Sequence, residues 1–498
     1  MLLHVTSLPG RYGIGEIGER AFAFVDFMKQ TGLGVWQFLP LGPTAYGDSP
    51  YQSLSTFAGN EMLIDMHELR KMGLLSRLET DALHSLPAAY IDYPRLIPLK
   101  WRLLLTAASR FFVVANSDLK AGFDRYCEAR DRAWLHDYAL FRVLKTQHRQ
   151  QAWPTWPRKY VNRDSKALRQ LDAEAARLIQ SIKVLQYLFY YQWQALRRYA
   201  NDAGIRLFGD MPIYISLDSA DAWSKPEILC IDERGTPDSV AGVPPDYFSK
   251  DGQLWGNPLY NWAVHKADNY RWWSRRMRGT LEFADLMRVD HFRGFESYWA
   301  VPAGAQTARD GQWETGPGDA LFKALKDDLG TLPVVAEDLG LITPEVEALR
   351  DRHGLPGMTV LQFAINDEGF DLRNVPENRV CYTGTHDNDT TLGWYRGSPD
   401  DLRAHDEILA TQHRVRALTG GDGSNVSMDL IRAAFATNAR MAVAPMQDYL
   451  GLGSEARLNT PGTSSGNWRW RTAGSQLSRE LCDRISAAAD DAGRAPSA

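Results

Sequence analysis

Eight short apolar runs recur along the chain, and stretches with helical periodicity separate most of them. Strands that are buried on both faces read as near-continuous apolar segments, and their alternation with helices is typical of parallel strands covered by helices. Eight such units predict the α/β class and a (β/α)₈ TIM barrel, with a doubly wound open sheet as the alternative fold. The predicted strands span residues 2–5, 35–41, 205–210, 286–290, 332–338, 358–364, 379–384 and 440–446.

The uneven spacing of these runs predicts where the barrel carries insertions. About 160 residues of mostly helical sequence separate the second run from the third, which predicts a helical subdomain at 52–204. Much of the segment before the fourth run is loop-like, and we expect a loop-rich insertion over the barrel mouth at 215–262. The barrel domain would then occupy 1–475, and 485–498 would form a loose C-terminal tail.

Charge and cysteine content narrow the possible partners and compartment. The chain has 56 Lys and Arg against 61 Asp and Glu, with a net charge of −5 and no basic block, which argues against nucleic-acid or anionic-membrane partners. Its four cysteines lie far apart, so they form neither a disulfide framework nor a CxxC metal site. The N-terminus has no secretion signal and no run reaches membrane-spanning length. We therefore expect a soluble, cytoplasmic protein.

Carboxylates follow several of the predicted strands. Asp210, Asp290, the pair Glu337 and Asp338, and Asp387 each stand at or just past the end of an apolar run. Barrels of this class carry their chemistry at the carboxyl ends of the strands, and burying an unpaired charge for packing alone is costly. Because neighbouring side chains alternate, only one of the adjacent pair can face the mouth, and we choose Glu337 for its longer reach.

An arginine accompanies one of these carboxylates in the segment "DLMRVDHFRGF". Arg288 and Asp290 are two residues apart, so they would share a face if this segment is extended. A nearby arginine keeps a carboxylate charged, as a carboxylate nucleophile requires, although a structural salt bridge would use the same pair. One ionised carboxylate and one that can be protonated are the groups that glycosidic-bond chemistry uses as nucleophile and general acid/base.

Three other functions have partial support in the sequence. The segment "GIGEIG" at 13–18 matches a dinucleotide-binding pattern, but it does not follow the strand directly and the second strand ends without an acidic residue. The segment "HDND" at 386–389 offers metal ligands, although no second ligand cluster stands at a recognisable spacing. A carbohydrate-binding protein without catalysis would explain the aromatic residues in Gly/Pro-rich loops but would not require Arg288 or Glu337. We therefore predict neither a cofactor nor a metal.

Nine segments occur in an order that closely resembles the amylomaltases, also called disproportionating enzymes or 4-α-glucanotransferases, of the α-amylase clan. The resemblance runs from the first residues to about Arg471, and Val5 stands where the family usually has proline. The segments are "LLHVTSLPGRYGIGEIG", "SPYQSLSTFAGN", "FGDMPIYIS", "LWGNPLYNW", "MRVDHFRGF", "VVAEDLG", "TGTHDNDT", "APMQDYLGLG" and "NTPGTSSGNWRWR".

This resemblance implies a barrel with inserted helical subdomains, no C-terminal β-sandwich, and retaining transfer of α-1,4-glucan segments. It implies that Asp290 is the nucleophile, Glu337 the general acid/base, and Asp387 a third carboxylate that holds sugar hydroxyls. The expected substrates are maltooligosaccharides, starch or glycogen fragments and glucose, and a retaining α-glucan hydrolase is the alternative function. The residues that it places at the sugar are Arg288, His386, Tyr51, Asp210, Trp255, Asn257, Ser49 and Asn459.

The segment 242–262 suits acceptor binding. Its prolines stiffen it, and Tyr247, Phe248 and Trp255 offer flat faces for sugar rings. If it covers the cleft, it would hold the acceptor and exclude water, whereas an ordinary packed surface loop is the alternative.

Overall fold

The computed structural model of the protein describes residues 1–245, 250–398, 401 and 403–494. Within these residues the chain forms eleven strands, separated by helices and turns. The strands are β1 (Val35–Gln37), β2 (Arg206–Pro212), β3 (Ser239–Val243), β4 (Gln253–Pro258), β5 (Leu286–Asp290), β6 (Ser297–Pro302), β7 (Gln312–Thr315), β8 (Val334–Ala336), β9 (Gly357–Val360), β10 (Arg379–Tyr382) and β11 (Met441–Val443).

Seven of these strands form parallel sheets. One sheet has the order β1-β2-β5-β8 and the other has the order β11-β10-β9. Leu2 makes parallel bridges to Gln37 and Pro445, and therefore connects the β1 edge with the end of β11. At the other edges, the Ala336 amide donates a hydrogen bond of 2.8 Å to the carbonyl of Pro356, just before β9. The parallel α/β sheet predicted from the apolar runs is present.

Six of the eight predicted strands are shorter than expected, and the runs 2–5 and 358–364 are partly helical where a strand was predicted. Of the run 2–5, only Leu2 makes a strand bridge, and Val5–Ser7 forms a 3₁₀ turn. The run 358–364 was also wrong in its second half, because β9 ends at Val360 and Leu361–Ala364 is helical. A short apolar run fits a buried helical turn as well as a buried strand, so periodicity alone could not separate the two.

A four-stranded antiparallel sheet of order β4-β3-β6-β7 was not predicted. The segment 215–262 was expected to be loop-rich, but it supplies β3, which pairs with β6, and β4, which pairs with β3. The prediction missed these strands because β3 is short, β4 contains glycine and proline, and β6 comes from a distant part of the sequence.

Helices fill most of the chain between β1 and β2, where the sequence predicts a helical subdomain. Asn116 and Asp164 cap two of them by accepting hydrogen bonds from backbone amides of the first turn. The helices are Met66–Lys71, Arg77–Thr80, Tyr93–Val114, Ser117–Arg130, His136–Gln147, Arg158–Val161, Ser165–Glu174 and Ala176–Asp202, with the π-helical turn Asp131–Leu135.

The remaining helices cover the sheets and extend beyond the predicted domain end. They are Glu19–Gln30, Ala220–Ser224, Trp262–Ala267, Arg271–Leu281, Gly318–Leu329, Pro344–Arg352, Leu361–Ala364, Thr391–Arg396, His405–Thr419, Val426–Ala436, Met446–Tyr449 and Arg479–Asp491. The predicted loose tail at 485–498 is wrong for its first half, because Ile485, Ala488 and Ala489 bury one face of the last helix. From residue 444 to 494 no further strand follows β11.

One apolar cluster collects side chains from all the parallel strands. Val35 of β1 packs at its margin, and Leu2 takes part although it lies outside the two sheets. No helix in the described part of the chain is long and apolar enough to cross a membrane. The buried members of the cluster are Leu2, Phe208, Leu286, Val335, Met358, Val360, Val380, Tyr382 and Val443.

Candidate active site

One arginine bridges two carboxylates at the carboxyl ends of β2 and β5. Arg288 lies opposite Asp210 in the β2–β5 register, and its Nη1 donates to both Asp210 oxygens at 3.0 and 2.9 Å. Its Nη2 lies 2.6 Å from Oδ1 of Asp290, the last residue of β5. Arg288 and Asp210 are buried, whereas the Asp290 side chain keeps 29% of its exposure. The expected Arg288–Asp290 pair is therefore part of a three-residue network.

Burial and charge act against each other in this network. Burial raises the pKa of Asp210 to about 6, although the Arg288 charge opposes the shift. Burial alone would lower the pKa of Arg288, but the charges of Asp210 and Asp290 outweigh it and raise that pKa well above its ordinary value. The arginine is therefore a fixed positive charge between the two carboxylates, and it opposes the rise in the pKa of Asp210.

Glu337 follows β8 and faces the same end of the sheet. Its Oε2 accepts a hydrogen bond of 2.7 Å from the His291 amide, and its Oε1 accepts one of 2.8 Å from the Leu339 amide. Burial raises its pKa to about 7; Arg288 opposes this shift and the charge of Asp290 adds to it. Near neutral pH the group can therefore hold or release a proton.

Asp338, the neighbour of Glu337, has a different set of partners. It forms ion pairs with Arg350 and Arg379, and it accepts a hydrogen bond from the Met358 amide. Neighbouring side chains alternate in direction, so Asp338 points to its arginine partners while Glu337 points to the end of β5.

His291 shapes the connection between β5 and Glu337, a role that no sequence pattern indicates. Its φ of 55° is in the left-handed region, where a non-glycine residue costs about 1–3 kcal/mol, and this conformation turns its amide toward Glu337. Burial lowers the pKa of its imidazole to about 4, so the ring is neutral at pH 7. The half-buried Trp255 of β4 lies edge-on to this ring, with centroids 4.8 Å apart. The predicted sugar contact Trp255 therefore lies next to the residue that follows Asp290.

One wall of the site contains Tyr51, His386, Asp387 and Asn459. His386 Nε2 lies 3.3 Å from Oδ1 of Asp387, and the Asn459 side-chain amide donates to the same oxygen at 2.6 Å. The ring of Tyr51 stacks on His386 at 5.0 Å, and its hydroxyl donates to Asp210 Oδ2 at 2.8 Å. Asp210 thus connects Arg288 with Tyr51, and the predicted residues of this wall and the Arg288 network belong to one set of contacts.

Two residues of this wall were not predicted. Arg457 donates to the backbone carbonyls of Asp387 and Asn459, each at 2.8 Å, and fixes their relative position. The ring of Trp468 lies 5.9 Å from Tyr51 and 6.0 Å from His386. Trp468 lies in the segment "NTPGTSSGNWRWR" and Arg457 lies just before it. The resemblance of this segment to the amylomaltases was the signal that could have pointed to both residues.

Two other predicted sugar contacts, Asn257 and Ser49, make hydrogen bonds within the protein. The side chain of buried Asn257 donates to the Ile215 carbonyl at 2.9 Å, and Ser49 Oγ accepts a hydrogen bond of 3.2 Å from the Tyr51 amide. These contacts hold loops of the site. Tyr247 and Phe248 lie outside the described residues.

The segment "HDND" does not form a ligand cluster. Asn388 accepts hydrogen bonds from Thr385, and Asp389 accepts one from Ser454 at 2.6 Å. Among the residues that the structure describes, no three His, Cys, Asp or Glu side chains are grouped so that they could hold a metal ion.

Comparisons with known proteins identify the family to which the chain belongs. A sequence model for a family described as 4-alpha-glucanotransferase matches residues 3–477. A 4-α-glucanotransferase of Thermus thermophilus is 47% identical over 496 residues, which cover 98% of this chain and 97% of that protein. The chloroplastic/amyloplastic 4-α-glucanotransferase of Arabidopsis thaliana is 42% identical over 476 residues, which cover 95% of this chain and 81% of that protein. An amylomaltase from Streptococcus agalactiae, solved in complex with acarbose, has a TM-score of 0.93 and 35% identity over 99% of both chains. The chain therefore belongs to the 4-α-glucanotransferase family.

Proposed function

We propose that this 4-α-glucanotransferase transfers segments of α-1,4-glucans to the 4-hydroxyl of glucose or maltooligosaccharide acceptors by a retaining double displacement. The observation that carries the mechanism is the unequal environment of two carboxylates. Asp290 contacts the fixed charge of Arg288, whereas burial raises the pKa of Glu337 to about 7. A retaining glycosidase or transglycosylase needs this combination of an ionised nucleophile and a protonated acid.

In the first step, a carboxylate oxygen of Asp290 attacks the anomeric carbon of the donor. The glycosidic bond breaks as Glu337 gives its proton to the departing oxygen, which leaves a covalent glycosyl–enzyme and an ionised Glu337. In the second step, Glu337 takes the proton of the acceptor's 4-hydroxyl, whose oxygen attacks the same carbon and releases Asp290. Two inversions at one carbon give net retention.

Asp387 supports this chemistry from the wall that it forms with Tyr51, His386 and Asn459. The Asp387 side chain is 44% exposed and is held by Asn459 and His386. Its second oxygen, Oδ2, has no part in these two contacts, and we assign it to the sugar hydroxyls. Tyr51 supplies a flat face for the same sugar ring, because its stacking on His386 fixes its orientation.

We further infer that the two parallel sheets close into one eight-stranded barrel. Leu2 joins β1 to the end of β11, the Ala336–Pro356 hydrogen bond joins β8 to β9, and one apolar cluster collects side chains from every strand. Closure would bring the ends of β2, β5, β8 and β10 to one mouth, which is where these barrels hold their catalytic groups. The helices at 52–204 and the excursion at 215–262 would be insertions into that barrel.

Transfer has to compete with water for the glycosyl–enzyme. Water is present at about 55 M, and an oriented acceptor can reach effective molarities of about 10⁵ M or more. Trp255 supports acceptor binding, because β4 places its ring against His291, whose amide contacts Glu337.

A cytoplasmic location stays a prediction, based on the cysteines, which are free thiols.

Chromatography of the products from pure maltotriose tests this function. We expect free glucose and a ladder of longer maltooligosaccharides, with almost no increase in total reducing ends, because each transfer breaks one glycosidic bond and makes another. Glu337→Gln is the control for contaminating activity and should produce no ladder. Growth of reducing ends without products longer than maltotriose would show a hydrolase and refute the transferase proposal.

A further inference from the structure

We propose that the antiparallel sheet carries an auxiliary glucan-binding surface centred on Trp313, which holds the distal part of a long α-1,4-glucan whose reacting end lies in the cleft. This inference rests on the proposed function, and it adds a binding site outside the catalytic residues. The surface consists of Leu254, Trp299 and Trp313, one each from β4, β6 and β7.

The strand register brings these three side chains to one face of the sheet. Gly242 of β3 is paired with Leu254 on one side and with Trp299 on the other, and Trp299 is paired with Trp313. Residues directly opposite each other in antiparallel strands share a face, so the four positions form one row about 14 Å long at about 4.8 Å per strand. Gly242 contributes no side chain to this row, and a Cβ there would lie 2.5 Å from the Gln253 carbonyl oxygen, so the position requires glycine.

The ring of Trp313 is held by Arg293 and Trp299 and is partly open to solvent. The guanidinium carbon of Arg293 lies 3.9 Å from its ring centroid, and the ring of Trp299 lies edge-on at 5.1 Å. Trp299 is itself held by a hydrogen bond of 2.8 Å from Nε1 to the Ala308 carbonyl. Trp313 nevertheless keeps 42% of its exposure. An indole with one face on a buried arginine and much of its surface in water is a rigid platform for a flat ligand.

Arg293 connects this platform with the catalytic loops. It is three residues beyond Asp290, and it donates to the carbonyl of Leu341, four residues beyond Glu337, and to Ser297 Oγ at 3.2 Å. Trp313 therefore lies beside both segments that leave the proposed catalytic carboxylates. A glucan that leaves the cleft past these two segments would reach Trp313, which lies at the end of the row.

The chemistry of the surface fits a glucan. A sugar ring has apolar C–H faces and polar edges, so aromatic faces on a solvated surface bind it without a buried charge. A short substrate whose reacting end lies in the cleft would not extend to the row, so the surface should affect long glucans and leave maltotriose almost unaffected.

Trp313→Ala tests the proposal by comparing amylose with maltotriose. We expect kcat/KM for amylose to fall about fivefold, which is the loss of one aromatic contact, and kcat/KM for maltotriose to change less than twofold. Trp313→Tyr keeps a flat ring and should lose less than twofold on amylose. Tyr191→Ala is the matched control, because Tyr191 is 44% exposed on the helix Ala176–Asp202. An equal loss on both substrates would show that the ring only supports Arg293, and this result would overturn the proposal.

Affinity electrophoresis in amylose-containing native gels separates this proposal from the catalytic one, because it requires no turnover. The parent and Tyr191→Ala should be retarded, and Trp313→Ala should show an apparent Kd about fivefold higher. Unchanged retardation would refute the surface even if the maltotriose assay supports transfer. A second copy of this chain is the other possible occupant of the surface, and sedimentation of the parent and Trp313→Ala tests it. A parent dimer that the substitution dissociates would assign the surface to self-association and overturn the glucan proposal.

Discussion

Glu337→Gln should become more stable relative to the parent as the pH rises from 5 to 8. Glu337 is buried with a pKa of about 7, against 4.5 for an ordinary glutamate. A carboxyl whose pKa is raised on folding binds more protons in the folded state, so its contribution to stability is present at low pH and is lost as the pH rises through 7. Glutamine does not titrate and therefore removes this dependence.

The magnitude follows from the pKa difference. A shift of this size, from 4.5 to about 7, corresponds to about 3 kcal/mol in total, and about 2–3 kcal/mol of it falls between pH 5 and 8. A chain of 498 residues has an unfolding entropy of about 1 kcal/mol per kelvin, so the difference in Tm between variant and parent should rise by about 2–3 °C. The variant also loses about 1–3 kcal/mol of stability at every pH. Both carboxylate oxygens of Glu337 accept hydrogen bonds from backbone amides, and the NH₂ group of glutamine cannot accept one of these bonds.

Differential scanning calorimetry of the two proteins at pH 5, 6.5 and 8 measures this effect. We expect the variant to melt below the parent at pH 5 and within a few degrees of it at pH 8. Glu368→Gln, at an exposed carboxylate, controls for the general loss of one negative charge. A Tm difference that is the same at all three pH values would refute the raised pKa, and with it the reason for assigning the acid role to Glu337.

The other predictions concern activity. Asp290→Asn should lose nearly all transfer in the maltotriose assay while its Tm stays within a few degrees of the parent, since catalytic carboxylates usually oppose stability; retained transfer would remove Asp290 from its role. The parent's kcat/KM should fall about tenfold per pH unit above pH 7, because Glu337 must enter the first step protonated, and a flat profile from pH 7 to 9 would contradict this. Trp255→Ala should raise the ratio of released reducing ends to transfer products several-fold, by weakening the oriented acceptor, and an unchanged ratio would place the acceptor elsewhere. Extensive dialysis against EDTA should leave the rate unchanged, and activity that is lost and then restored by Ca²⁺ or Zn²⁺ would show a metal requirement.

The positions of the catalytic candidates could be predicted because they depend on local rules. A carboxylate after an apolar run marks a strand end, and alternation then decides which neighbour faces the site. The structure places Glu337 beside the end of β5, while Asp338 is held by Arg350 and Arg379. The strand positions were also predictable to within a few residues, because burial on both faces leaves a continuous apolar signal.

Features that depend on register or on distant partners could not be predicted. The bridge from Arg288 to Asp210 requires Arg288 of β5 to lie opposite Asp210 of β2, which no single segment specifies. The antiparallel sheet joins β3 to β6 across more than fifty residues, and β4 is too rich in glycine and proline to read as a strand. The left-handed conformation of His291 depends on its tertiary surroundings, since histidine has no local preference that requires it.

The aromatic group of Tyr51, His386 and Trp468 has a consequence for the synthesis of the protein. About 400 residues separate its first member from its last, and a ribosome that adds 5–20 residues per second needs about 20–80 s to cover that distance. A nascent chain that already contains Asp290 and Glu337 still lacks Asn459 and Trp468, so it cannot complete the wall that orients the sugar. We therefore expect a chain truncated before Asn459 to be inactive, and the enzyme to become competent only when its translation is nearly finished.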